Sequence, residues 1–462
     1  MQTTTERPVA PQAGADAAAP AEARATPAPA ESPAAPRITW NRVVALIMGQ
    51  GVSLTGDYAL LVGMTWTAVR LGGTAAVTAL LLVSTIPRSL TLLLGGPIAD
   101  RIGSRFVLLR TVTGRVLLLA AGAVLVSQVH ALWCLLAIGA IEGVLLGLGS
   151  PAYGSIMPTL MDDDQLARAN SLNGTVLRLT PILGTPFGAW LIASGRLWAS
   201  LAVVAFTCTT ALGSLLYVTR GMPLPQAPAK PAGGADERAG GRRGALRSSG
   251  DGLRLLAADA RLRWLFVSAF FLDLAFGWPL EVALPLLVKQ RGWSVETIGE
   301  VVAVFSTGAL AAGAAGVFLA DRLSMRVRLV VTGVGIAAGI GLMSLMPSVP
   351  TLAASGFAVG LMCGLNGPAI VTSYQQAAPR EQIGVAMSML TLANVGTGPV
   401  SVALFGTLAL LLGLQTTWLL CGLVALVGPV AALLALRHPS RRGAEPAQAM
   451  PAPAEATAGA AI

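Results

Sequence analysis

The stretch Gly95-Gly96-Pro97-Ile98-Ala99-Asp100-Arg101-Ile102-Gly103-Ser104-Arg105 decides the fold of this chain. The apolar run Ala75 to Leu94 enters it, and the run Phe106 to Val126 leaves it. Each run is long enough to cross a bilayer as a helix, which takes about 20 residues. A short, charged, glycine-punctuated turn therefore joins two membrane spans. Its glycines permit a tight turn and close backbone approach. Asp100 is placed to interact with nearby backbone N–H groups, and Arg101 and Arg105 favour the cytoplasmic face. A single copy is equally a plain hydrophilic hairpin. The pattern recurs, however. Gly316, Ala320, Asp321, Arg322 and Arg326 repeat Gly95, Ala99, Asp100, Arg101 and Arg105 in register. The repeat implies two halves of similar build, as many transporters have.

Composition agrees. Of 462 residues, 54% are hydrophobic and 11% charged, with a mean hydropathy of +0.70, whereas soluble domains carry about 25% charged residues. The formal net charge of +9 would suggest nucleic acid in a soluble protein. Here the basic residues sit mainly in loops, where they set topology and meet lipid headgroups, so no nucleic-acid partner is expected. Cys134, Cys208, Cys363 and Cys421 lie in apolar runs without metal or redox spacing and read as buried thiols. His130 and His438 form no metal cluster. There is no nucleophile–base pair, so the chain is expected to be neither an enzyme nor a cofactor protein.

In chain order, residues 1–40 are rich in Ala, Pro and Glu and read as a disordered cytoplasmic tail rather than a signal peptide. Six spans follow within 41–219, at about 42–69, 75–99, 106–129, 131–158, 165–193 and 197–219. The polar segment 220–261 reads as a cytoplasmic linker. Six further spans lie within 262–436, at about 262–288, 295–320, 328–346, 351–377, 382–412 and 416–436. Residues 437–462 read as a second cytoplasmic tail. The expected fold is thus an all-α integral membrane protein of 12 transmembrane helices in two six-helix bundles. Arg101, Arg105, Arg168, Arg242, Arg243, Arg247, Arg322, Arg326 and Arg441 fall on one side and only Arg70, Arg196, Lys289 and Arg291 on the other. Both termini are therefore expected in the cytoplasm of a cell inner membrane. A second repeat pairs Gly149-Ser150-Pro151-Ala152 with Asn366-Gly367-Pro368-Ala369, and Ser171 with Ser388 at the same spacing.

The first turn resembles the loop signature of the major facilitator superfamily, G-x-x-x-D-R-x-G-x-(R/K), between spans two and three. The second copy falls where that family repeats it, without the second glycine, since Ser324 follows Leu323. The run Gly49-Gln50-Gly51-Val52-Ser53-Leu54-Thr55-Gly56-Asp57 resembles the opening span of the drug:proton antiporter branch that contains macrolide-efflux and enterobactin-export proteins. Trp66, Pro87-Arg88 and Ala169-Asn170-Ser171-Leu172 fit that branch too. The resemblance implies export of an amphipathic compound driven by proton entry, with Gly95, Gly96, Asp100, Arg101, Gly103, Arg105, Asp321, Arg322 and Arg326 as a conformational gate. Two departures stand out. Related antiporters often carry R-x-x-Q-G in span four, but here Gly139-Ala140-Ile141-Glu142-Gly143 has no arginine and Glu142 takes the glutamine's place. In span five, Thr185 separates Gly184 from Pro186, which that pattern keeps adjacent.

Ionisable residues inside a bilayer are costly and face a cavity or a partner. The candidates for proton coupling are Asp57, Arg88, Arg115, Glu142 and Arg178 in the first half and Asp273 in the second. Counting ~1.5 Å per residue places Asp57 at the depth of Arg88, Glu142 at that of Arg178, and Arg115 lower. Two pairs, Asp57–Arg88 and Glu142–Arg178, are expected, either as structural ties or as a proton site. Asp273 has no basic residue within a span of its own half and is a separate titration candidate. Glu281 reads as solvated near the outer mouth. Asp162-Asp163-Asp164 reads as an N-cap cluster, and Gly184, Pro186, Gly398 and Pro399 as kinks. The leading reading is a proton-coupled exporter working as a monomer on a small molecule. An importer of lipid or metabolite in the same fold and a non-transporting receptor or assembly partner stay open.

Overall fold

In the computed structural model, residues 39–438 are described except 130, 161–162, 195–196, 221–252, 320–321, 323 and 380–381. Most of the expected linker (221–252) and nearly all of both tails thus lie outside the described residues, as do Asp162, Asp321 and the side chain of Asp100. The helices are α1 (Trp40–Ile102), α2 (Ser104–Gln128), α3 (Leu132–Leu160), α4 (Asp163–Ala193), α5 (Leu197–Thr219), α6 (Ala260–Trp278), a π-turn (Pro279–Ala283), α7 (Leu284–Arg291), α8 (Glu296–Leu319), α9 (Met325–Met343), α10 (Val349–Ala377), α11 (Ile383–Leu412), α12 (Leu414–Ala425) and α13 (Val427–Ala435). Among the described residues there is no strand. Among the same residues, ten stretches are long and apolar enough to cross a membrane.

Four expected spans differ in form. Spans one and two are one helix, α1, broken where Gly72 and Gly73 leave helical geometry. Gly73 takes φ 61°, which L side chains rarely adopt. Span seven is divided between α6 and α7 by the π-turn, whose first residue, Pro279, has no N–H to bond the preceding turn. The last span is divided at Leu426 into α12 and α13. The loop at the opening stretch is reduced to Gly103, at φ 91°, between α1 and α2.

The repeat seen in the sequence recurs contact by contact. On α3, Gly143 packs on the backbone of Ser84, and Gly147 packs on Arg88 and Thr91 of α1. On α10, Gly360 packs on the backbone of Phe305, and Gly364 on Ala309 and Ala312 of α8. The steps along both partner helices are the same. A Cβ at any of the four glycines falls inside contact distance of the facing helix, so the small residues are what let the backbones meet. Gly184 on α4 behaves likewise against Tyr58, with Tyr58 Cβ 2.7 Å from an added Cβ. It therefore serves close packing of α4 on α1. Gly143→Leu and Gly360→Leu are each expected to lower thermal stability, by roughly 1–3 kcal/mol or more. Melting of the purified chain checks this, with Gly367→Leu, where an added Cβ meets nothing within 4 Å, as the control that should scarcely move.

Several contacts between the two halves lie toward the Gly72–Gly73 end. Lys289 Nζ donates to Val69 O at 2.6 Å. Gly299 of α8 lies against Pro186 of α4, where an added Cβ meets Pro186 Cα at 2.6 Å. Gly406 of α11 lies on Thr78 of α1. Further along, Gly398 faces Thr85 Cγ2, 3.3 Å from an added Cβ, and Ser89 Oγ donates to Val395 O at 3.2 Å. Beyond Ser89 the same two helices part around a cavity of about 490 Å³ between Leu92, Gly96 and Pro151 on one side and Met387, Ser388 and Thr391 on the other.

A candidate charged cavity at the centre of the fold

Three helices of the first half bring Arg115, Asp57 and Glu142 together. Arg115 projects from the middle of α2, with its charge 6% exposed. Its Nη2 pairs with Asp57 Oδ1 on α1 and with Glu142 Oε1 on α3 at 2.6 Å. Its Nε donates to the same Glu142 oxygen at 2.8 Å. Its Nη1 donates to Ser53 Oγ at 3.3 Å, and Ser53 Oγ lies 3.6 Å from Cys208 Sγ on α5. The planar guanidinium can hold two carboxylates at once because its N–H groups form a fixed fork. Glu142 is 7% exposed, and its second oxygen, Oε2, has no hydrogen-bond partner. The cluster thus pairs two carboxylates with one guanidinium, and one carboxylate oxygen is left buried and unbonded.

The pairs expected from depth, Asp57 with Arg88 and Glu142 with Arg178, are replaced by this arrangement. Counting residues along each helix locates Cα atoms only. An arginine's side chain reaches well beyond the level of its own Cα, which lets Arg115 meet acids placed higher on neighbouring helices. Arg88 and Arg178 are exposed and form no ion pair among the described residues. Arg178 instead runs past Gly313 of α8, its Nη1 3.7 Å from where a Cβ would stand.

Asp57 and Glu142 border a cavity of about 290 Å³ that Gln50, Tyr58, Arg88 and Glu281 also line. The remaining wall is largely leucine with Met64. Sequence reasoning did not place Glu281 at this cavity. It is exposed and lines the cavity from the π-turn Pro279–Ala283, opposite first-half residues. The available signal was Pro279 two residues earlier, since π-turns recur at functional sites. Arg88 and Glu281 face the cavity from different halves. Asp273 is elsewhere, in a separate cavity within the second half. Among the gate residues, Arg101 stands on α1, Arg105 on α2 and Arg326 on α9. Among the described residues no group of His, Cys, Asp and Glu is arranged to hold a metal ion.

An all-helical membrane chain of two repeated halves, with a charged cavity where they meet, defines a membrane transporter fold. The profile of the Major Facilitator Superfamily matches residues 46–278 and again 265–460, and the chain belongs to that family. It is 24% identical over 294 residues, 62% of this chain and 67% of the other, to an uncharacterized MFS-type transporter, y4rN, of Sinorhizobium fredii (strain NBRC 101917 / NGR234). Among solved structures it is similar in fold to a peptide transporter POT in complex with sulfate, with TM-score 0.66, 15% identity, and 87% and 96% of the two chains covered. It is similar also to a D-xylose-proton symporter, with TM-score 0.65, 15% identity, and 88% and 99% covered. A variant of the nucleoside transporter NupG is similar with TM-score 0.62, 13% identity, and 86% and 100% covered.

Proposed function

We propose that this chain is a proton-coupled secondary transporter that exports a small amphipathic compound by alternating access. The carrying observation is the shared guanidinium of Arg115 between Asp57 and Glu142, beside a cavity that both halves line. One arginine satisfies one carboxylate charge. The other carboxylate takes a proton from one side and gives it up when Arg115 leans toward it. Arg88 and Glu281 are unpaired within the cavity and hold the polar ends of the substrate, while the leucine wall holds its apolar body. In this reading the chain has twelve spans, with α1 counted as two and α8 included. They form bundles at 41–219 and 262–436, the linker 220–261 and both termini are cytoplasmic, and the protein works as a monomer in the inner membrane.

The direction of transport rests on the resemblance of Gly49 to Asp57 to the drug:proton antiporter branch. In this reading the cavity between α1 and α11 beyond Ser89 is the entry from the cytoplasm, at the Gly103 end. The turn residues Asp100, Arg101, Asp321 and Arg322 are the gate that closes that end. The test is a panel of amphipathic compounds applied to purified protein in a weakly buffered solution. At least one is expected to release protons from the protein on binding, and proteoliposomes should then move it against its gradient only when a pH gradient is imposed. Movement indifferent to the pH gradient would overturn coupling, and accumulation by intact cells would make the protein an importer.

A further inference from the structure

A second cavity is lined by residues of the second half, about 220 Å³ in volume, and among the described residues its only charged lining residue is Asp273 of α6. It is the counterpart of the Arg115 cluster with the arginine missing. Asp57 follows Gly56, which packs on Thr207 and Val204 of α5. Asp273 follows Leu272, which packs on Gly428 of α13. Both acids thus sit one residue past the contact between the first and last helix of their half. Arg115 stands ten residues after Arg105 of the repeated turn, and the residue ten after Arg326 is Ile336. Ile336, on α9, is 3% exposed and lines the Asp273 cavity.

The rest of the lining offers acceptors. Asn366 of α10 spends both amide protons, on Leu329 O at 3.3 Å and on Thr332 Oγ1 at 2.7 Å. Its Oδ1 therefore meets no donor among the described residues. Asn394 of α11 adds a second amide, and Phe276 adds an aromatic face. No described residue bonds the Asp273 carboxylate. Asp273 is half-buried, a carboxylate drawn partly out of water is stabilised when a cation or donor meets it, and the ring and aliphatic walls suit the organic part of such a cation.

We infer that the Asp273 cavity is a binding site for an organic ammonium, which fills the place that the Arg115 guanidinium holds in the other half. The ammonium bonds the Asp273 carboxylate and the Asn366 amide oxygen, and its hydrocarbon lies against Phe276 and Ile336. At ~30 Å³ for one water's share of liquid, the cavity has room for a single ring or a short chain. The inference goes beyond the coupling reading and does not rest on it, because binding at equilibrium needs no proton gradient.

The test is calorimetric titration of the purified full-length chain in lipid nanodiscs with 2-phenylethylammonium, and with the neutral 2-phenylethanol as its isostere. Saturable binding of the ammonium is expected, with the alcohol bound about tenfold or more weakly, since hydrogen bonds to a charged group are roughly twice as strong as neutral ones. Asp273→Asn should weaken the ammonium to the level of the alcohol. Ile336→Arg should do the same by supplying the cation from within, and Ile336→Met, which keeps an apolar wall there, should weaken binding far less than Ile336→Arg does. If Asp273→Asn does not fold, the Ile336 pair of variants still decides. Absence of saturable ammonium binding, equal affinity for the alcohol, or undiminished binding in Ile336→Arg overturns the assignment. Loss of pH-driven transport with ammonium binding intact would instead strike the coupling reading alone.

Discussion

Asp57→Asn is expected to abolish uphill transport driven by a pH gradient while leaving the protein folded. Asparagine keeps an oxygen for Arg115 Nη2, so the hydrogen bond survives, and the guanidinium stays neutralised by Glu142, which it meets through Nε and Nη2. What is lost is the carboxylate that alternates with Glu142 for the one arginine. Downhill exchange of substrate should persist, because the cavity walls and Arg88 and Glu281 are untouched. The measurement is substrate-induced proton release from purified wild-type and Asp57→Asn protein, beside uphill and downhill fluxes in proteoliposomes. Proton release equal to wild type would remove Asp57 from the coupling site and leave Glu142, with its unbonded Oε2, as the carrier.

Arg115→Met is expected to be the most damaging single change in the first half. It leaves Asp57 and Glu142 buried side by side with no cation between them. Breaking a buried pair by removing one partner costs about 3–5 kcal/mol, and this arginine serves two partners and Ser53. Expression and monodispersity should collapse. Arg115→Lys should fold better but transport poorly, since an ammonium cannot bridge two carboxylates with a planar fork. The informative variant is the neutral triple change Asp57→Asn, Arg115→Met, Glu142→Gln. It removes the charges together, so folding should return while proton release does not. If Arg115→Met alone folds as well as wild type, the cluster is not buried against water as described. If the triple variant still couples, the proton site lies elsewhere.

The apolar runs were legible because a bilayer imposes a length and a composition that no local interaction can override. The repeat of Gly95 to Arg105 at Gly316 to Arg326 was legible for the same reason. A tight turn between membrane helices needs glycine, and its arginines mark a side. The repeated glycines of α3 and α10 were present in the sequence at Gly143, Gly147, Gly360 and Gly364, but their partners were not. Which helix a glycine faces depends on rotation about the helix axis, and in a chain apolar all round periodicity does not report it.

The sequence by itself determined the class of molecule, the places of most spans, the duplicated halves, and the short list of charges inside them. Tertiary structure alone decided how those charges are shared. Asp57 and Glu142 turn to Arg115 rather than to Arg88 and Arg178, because long side chains and neighbouring helices set distances that residue counts along one helix cannot. The same holds for Glu281, which lines the cavity from the π-turn at Pro279, and for Asp273, whose distinctive feature is Ile336 where the other half has an arginine. An isolated helix specifies which charges must be satisfied. Only the packed bundle specifies by which partner, since that choice is a matter of a few ångströms between separate segments.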